Sequence, residues 1–171
     1  REIQISEALA VSSLNVGPLI RDLTGISSFT NLTILQCSWN ELNSLDVSSL
    51  VNLTYLACNN NQISSLNVTG LVNLTFLECS SNRLTSLDVT SLVKLTSLNC
   101  DSNRLQTVFM KNGIKNSDVL LSNNGGIKYI CVDESELKDI QNQITYYGYA
   151  NCQVNSYCSF VPGGTFYTIQ G

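Results

Sequence analysis

Thiols have the greatest chemical reach of any side chains in this sequence. Seven are present: Cys37, Cys58, Cys79 and Cys100 stand 21 residues apart, while Cys131, Cys152 and Cys158 gather towards the end. A thiolate can act as nucleophile, metal ligand or partner in a disulfide. The chain has no histidine. Its absence removes the usual base of Cys–His and Ser–His nucleophiles and the nitrogen ligands of most zinc sites. Glu78 and Asp101 are a second candidate, as a carboxylate pair of the kind that hydrolyses glycosides.

The elements that position these residues follow from an internal repeat. LTILQCSWNELNSLDVSSLVN at 32–52, LTYLACNNNQISSLNVTGLVN at 53–73, LTFLECSSNRLTSLDVTSLVK at 74–94 and LTSLNCDSNRLQTVFMKNGIK at 95–115 align without a gap. Weaker copies flank them at 11–31 and 116–136. One such turn cannot bury its own leucines, so successive turns must stack. Alternation along each short strand points Leu56 and Cys58 inward and Tyr55, Ala57 and Asn59 outward. Stacking also decides the thiol question. Parallel rungs ~4.8 Å apart put the four thiols in a line, which cannot converge on one metal and would strain any bridge between neighbours. The expectation is a column of small core residues, since free cysteine is among the most buried residue types.

The phrase L-x-x-L-x-C-x-x-N-x-L-x-x-L-x-V-x-x-L resembles the leucine-rich repeat, with cysteine in place of the third leucine, over about residues 11–136. It is most similar to the short, internalin-type repeats of bacterial secreted proteins. The resemblance implies an α/β-type solenoid, a right-handed arc with one short parallel β-strand per turn, a mostly irregular convex side and a helical C-terminal cap. It also implies that Asn40, Asn61, Asn82, Asn103 and Asn124 turn inward and hydrogen-bond the bend, and that ligand sits on the concave sheet. The segment after the repeats resembles that of large surface proteins of Bacteroidota, where further modules follow.

Both ends of a solenoid expose core and need caps. IQISEALAV at 3–11 has helical spacing, and the expected divisions are an N-terminal cap at 1–10, repeats at 11–136, a C-terminal cap at 127–158 and a linker or next domain at 159–171. In that C-terminal cap Asp133 or Ser135 can start a helix. Leu137, Ile140 and Ile144 form its apolar stripe and Gly148 stops it. Cys131 falls at the repeat's valine position. One disulfide is expected among the three late cysteines, with Cys131–Cys152 preferred and Cys152–Cys158 second, although sequence alone does not fix connectivity. Pro162-Gly163-Gly164 reads as a turn and TFYTI as a lone strand. The chain starts at Arg1 without a signal peptide, which reads as a mature fragment or an excised domain.

Composition narrows function further. Charged residues make up 13% of the chain and the net charge is −4, with nine scattered basic residues. This balance argues against nucleic acid, whose phosphates demand clustered cations. No apolar run approaches a membrane span. The outward positions vary while the framework repeats, and the candidate ligand-binding residues are Ile34, Gln36, Trp39, Tyr55, Asn59, Phe76, Glu78, Arg83, Asn99, Asp101 and Arg104. Trp39, Tyr55 and Phe76, flanked by Ile34, form the sharpest candidate cluster, since aromatics and Arg anchor interfaces. Glu78 and Asp101 on an open sheet lack the enclosed pocket that would raise one pKa, so no catalytic residue, cofactor or metal is expected. The N-x-T sequons at Asn31, Asn52 and Asn73 follow the repeat register and read as by-products of it, with a fourth at Asn67. The expectation is a monomeric, non-enzymatic protein-binding or adhesion module, secreted or on the cell surface. Carbohydrate binding and a structural spacer are the alternatives.

Overall fold

The computed structural model describes residues 5–115 and 117–158. The expected TFYTI strand, the Pro162-Gly163-Gly164 turn and the 159–171 linker lie outside them. Among the described residues twelve strands and two α-helices are formed, and they wind as a parallel solenoid. One face is a six-stranded sheet of β1 (Ser13–Asn15), β2 (Ile34–Gln36), β4 (Tyr55–Ala57), β6 (Phe76–Glu78), β8 (Ser97–Asn99) and β10 (Asp118–Leu120). Each strand pairs with its neighbour 21 residues away, as in Leu35 with Leu56 and Leu77 with Leu98.

The opposite side is less irregular than the repeat phrase suggests. There β3 (Leu45–Asp46) pairs with β5 (Leu66–Asn67), and β7 (Ser86–Asp88), β9 (Thr107–Phe109), β11 (Tyr129–Cys131) and β12 (Gln153–Asn155) form a second parallel sheet. These strands are two or three residues long, and in the Leu-x-Val phrase the leucine falls within β3, β5 and β7 while the valine follows directly after and is also buried. Between the two sheets lies one continuous core. Leu32, Leu35, Leu42, Leu50, Leu53 and Leu56 are all completely buried, and their copies in later turns repeat the pattern. Burying each leucine contributes about 2 kcal/mol relative to exposure. A threonine ladder stitches the turns at the start of each strand, with the Thr54 hydroxyl donating to Thr33 O (3.0 Å) and Thr75 to Thr54 O (3.0 Å).

The sequon asparagines are part of this stitching. Asn31 Nδ2 donates to Leu9 O, Asn52 to Thr30 O and Asn73 to Val51 O, each in the preceding turn. Asn67 instead accepts the Thr69 N–H in a local turn.

The ends are closed differently. At the start, helix α1 (Ile5–Leu9) buries Ala8 and meets the 3-10 turn at Ile26–Ser28. At the far end, α2 (Leu137–Tyr146) lays Ile140 and Ile144 on the last turn. Gly148, at φ +72°, ends that helix by donating its N–H to Thr145 O. The expected helix start does not form as Asp133 or Ser135: Glu136 is the N-cap, and no side chain caps the helix. Asp133 is drawn away because its Oδ2 accepts the Gly113 N–H at 2.9 Å. The open edge of β10 is closed by side chains of the cap, as Gln143 Nε2 donates to Val119 O and the Tyr149 hydroxyl to Leu121 O. Edges left unpaired are sites of association.

Two expectations about the late cysteines are corrected by the register. Tyr129 pairs with Thr107, a step of 22 rather than 21, because Gly125-Gly126 adds a residue to the bend. Val132 therefore takes the inward valine position, and Cys131 points to the outer side of the second sheet. Asn155 of β12 pairs with Cys131, so Cys152 sits three residues (~10 Å) back along that strand, too far to bridge. The disulfide is Cys131–Cys158, with a Cα–Cα distance of 5.3 Å, and Cys152 is a free, half-buried thiol.

Candidate functional site

The buried columns settle what the framework does. Cys37, Cys58, Cys79 and Cys100 are free and wholly inaccessible. Burial pushes the Cys37 thiol up from an ordinary 9.0 to about 12, and burial likewise raises Cys58, Cys79 and Cys100. A thiol held neutral inside the core is no nucleophile. Among the described residues there is no cluster of three or more metal-ligating side chains.

These shifts set an alkaline limit on stability. With folded values above 9, the ladder's contribution is complete below pH 9, where the unfolded thiols are also neutral. It is lost as pH rises from 9 through the folded values, at about 1.4 kcal/mol per pH unit per thiol. Cys79→Ser is expected to destabilise by roughly 1–3 kcal/mol at neutral pH, because its hydroxyl is buried without a designed partner. Urea unfolding of the variant at pH 7 checks it, and a stability gain would contradict the filler role.

The asparagine column lies beside the thiols. Asn82 Nδ2 donates to Cys58 O (3.0 Å), Cys79 O (3.2 Å) and Ser80 O (3.2 Å), while its Oδ1 accepts the Ile63 N–H (2.9 Å). Asn103 and Asn124 repeat this set one and two turns on, Asn61 makes it one turn earlier, and Asn40 accepts the Ile20 N–H. Every amide is committed to backbone, which leaves none of them for a ligand.

The accessible chemistry is on the outer side of the six-stranded sheet, in three columns. The first runs Ile34, Tyr55, Phe76, Ser97 and Asp118. The Tyr55 and Phe76 rings are stacked with centroids 4.4 Å apart and planes parallel. The second column runs Gln36, Ala57, Glu78 and Asn99. Ala57 faces outward but is buried between its longer neighbours. The third contains Ser38, which donates to Asn59 Oδ1, and then Ser80 and Asp101. A hydrogen-bonded polar strip links the second and third columns: Asn99 Nδ2 donates to Glu78 Oε2 (2.9 Å), Ser80 N to Glu78 Oε1 (3.1 Å) and Asp101 N to Asn99 Oδ1 (3.0 Å).

Trp39 is not brought into the aromatic column. It sits past the strand at the bend, 69% exposed, and touches no other ring among the described residues. Its φ is +60°, and Asn60, Ser81, Ser102 and Asn123 hold the same left-handed conformation in later turns. The bend turns the chain away from the strand there, and a bulky residue in that conformation is strained. Arg83 and Arg104 are exposed one turn apart just beyond the bend. Glu41, in the same position two turns before Arg83, is already engaged by Arg21 at 2.7 Å.

The cap adds residues that sequence reasoning missed. Tyr146, Tyr147 and Tyr149 form ring contacts with centroids 5.6 Å apart. Burial raises the Tyr147 hydroxyl, and the nearby Asp101 charge adds to the effect; the Tyr149 hydroxyl accepts the Asn124 N–H and donates to Leu121 O, which joins the cap to the last bend. The YYGY run was the available signal, since three tyrosines around a helix stop exceed what a cap needs. Tyr129 was also missed: it is fully buried, and its hydroxyl reaches Asn155 Oδ1 (2.9 Å) and Tyr157 O (2.6 Å).

No protein-family model matches the chain, and no curated protein matches it in sequence. Solved structures do. The chain is similar to the functional domain of InlJ from Listeria monocytogenes, which includes a cysteine ladder, with a TM-score of 0.65 and 24% identity over 77% of this chain and 33% of that one. It is also similar to a leucine-rich repeat protein of Leptospira interrogans, with a TM-score of 0.51 and 18% identity over 88% of this chain and 50% of that one. The chain spans a third of the length of the first and half of the second. Likeness at this level establishes the leucine-rich-repeat solenoid fold.

Proposed function

We propose that this chain is a non-enzymatic protein-binding module of a secreted or surface-displayed bacterial protein, with its ligand on the six-stranded face. The observation that carries this reading is the Tyr55–Phe76 stack, standing half-exposed on a sheet whose inward residues barely vary. Rigid aromatic area is what anchors protein interfaces, because little side-chain entropy is lost on binding. Strain at exposed Trp39 adds support, since such strain persists where function uses it. The Cys131–Cys158 disulfide fits an oxidising compartment. Glu78, the nearest candidate acid, has both carboxylate oxygens occupied by Ser80 N and Asn99 Nδ2, which speaks against acid–base work.

A carbohydrate platform is less well served. Sugars stack on ring faces that lie open across a surface, whereas Tyr55 and Phe76 cover one face of each other and turn the remaining faces along the column. The test is the double variant Tyr55→Ala/Phe76→Ala, assayed against arrays of extracellular proteins and of polysaccharides. Protein binding is expected to fall at least tenfold while unfolding free energy moves by only about 1 kcal/mol, the scale of a surface aromatic pair. Loss of polysaccharide binding alone would move the module to the carbohydrate class, and unchanged binding throughout would leave a spacer.

A further inference from the structure

The protein-binding reading leaves open which partner chemistry the face takes, and the inference rests on that reading. Because the Tyr55 and Phe76 rings are parallel and adjacent, the second face of Phe76 looks away from Tyr55, along the column. The next rung there is Ser97, and the one after it is Asp118. Serine is too short to reach the ring. Rungs repeat every ~4.8 Å, so a slot about two rungs long separates the Phe76 ring from the Asp118 carboxylate.

The slot's walls have complementary chemistry. Phe76 offers a ring face, which attracts cations within about 6 Å of its centroid. The Asp118 side chain is exposed, and no ion pair or hydrogen bond engages its carboxylate among the described residues. Beside the slot, Asn99 is held in place by Glu78 and Asp101 N. The outward residues of β1, β2, β4, β6, β8 and β10 and those just beyond include Glu78, Asp101 and Asp118 but no Lys or Arg. The strand positions themselves are acidic, and the exposed cations Arg83 and Arg104 stand beyond the bend.

We propose that the slot above Ser97 receives an arginine guanidinium from the protein partner, stacked on Phe76 with its positive charge facing the Asp118 carboxylate. A flat cation meets both requirements at once, with one face on the ring and the other towards the carboxylate. A lysine ammonium, a compact point charge, can meet the carboxylate but cannot lie flat on the ring.

The probe is N-acetylarginine amide, titrated into the intact protein and followed by the backbone amide NMR signals of Ser97, Asn99 and Asp118, with N-acetylcitrulline amide as the neutral analogue of the same shape. Arginine is expected to shift these signals at least threefold more than citrulline. The excess should vanish in Ser97→Leu, which fills the slot, and fall at least threefold in Asp118→Asn. The unperturbed spectrum of each variant reports whether it has folded. Equal shifts from citrulline, or arginine shifts that survive in folded Ser97→Leu, would overturn the slot. If maltoheptaose moved the same signals independently of Asp118, the slot would belong to a sugar. A Tyr55-dependent protein interaction that persists after the partner's arginines are blocked with phenylglyoxal would remove the guanidinium while leaving protein binding intact.

Discussion

Asn82→Ala is expected to lower the unfolding free energy by about 3 kcal/mol, a large share of the total for a domain of this size. The reason lies in the order of loss. Cys58 O keeps Asn61 as a partner, Cys79 O keeps Asn103, and Ser80 O keeps the Asn60 N–H. The Ile63 N–H has only Asn82 Oδ1, so it is buried unpaired at a cost of about 1–3 kcal/mol, with the lost amide bonds adding to it. Asn82→Asp, nearly the same shape, should be at least as damaging. Its second oxygen would face three carbonyl oxygens where an N–H₂ now donates. Chemical denaturation of both variants checks the prediction, and an Asp variant as stable as the wild type would show that the amide's donors contribute nothing. Effects should extend beyond one turn, because each amide joins its own bend to the previous one.

The second large effect concerns the covalent staple. Removing the Cys131–Cys158 bridge, which closes a 27-residue separation, is expected to cost about 2–4 kcal/mol. Cys158→Ser should also release the tail over β11, exposing Tyr129 and the Ser156 carbonyl that Lys111 holds at 2.9 Å. Faster amide exchange should therefore concentrate in β11 and β12. Cys152→Ser should change stability by less than about 1 kcal/mol, since that thiol is unbridged and only half-buried. Peptide mapping without reductant identifies the bridge directly, and a 131–152 linkage would refute it.

The contrast between these two predictions reflects what a sequence can carry. The asparagine and cysteine columns recur with one period; strand alternation made the inward direction of the cysteines legible, and the family resemblance implied that of the asparagines. Cys131 was given the valine position because of a single extra residue at Gly125-Gly126, and the disulfide was misassigned because it depends on β12, which sets Asn155 and not Cys152 beside Cys131. Glycines bear no side chain to announce a change of register, and the repeat beyond them is too degraded to reveal the step of 22. Strand β12 was missed for a related reason: Gln153–Asn155 has no periodic partner in sequence and forms only because β11 offers an edge. At the candidate site, alternation placed Ile34, Tyr55 and Phe76 in one column but could not orient the rings. Ring planes are set by contact between neighbours, and the slot over Ser97 becomes visible only once those planes are known. Trp39 was grouped with them because periodicity records position along the chain and not the left-handed φ that turns it aside.

The unequal closure of the two ends has a mechanical meaning. The rungs run across the solenoid axis, so tension along that axis loads the hydrogen bonds of one rung at a time and peels turns from an end instead of shearing them together. At the far end, peeling β12 from β11 must stretch the Cys131–Cys158 bond. At the near end, among the described residues, a five-residue helix precedes β1 and Leu14 is half-buried. Under load the molecule is a spring sewn at one end, yielding from Ser13 towards the cap while the Tyr55–Phe76 face gives way only after the first rungs have been drawn off.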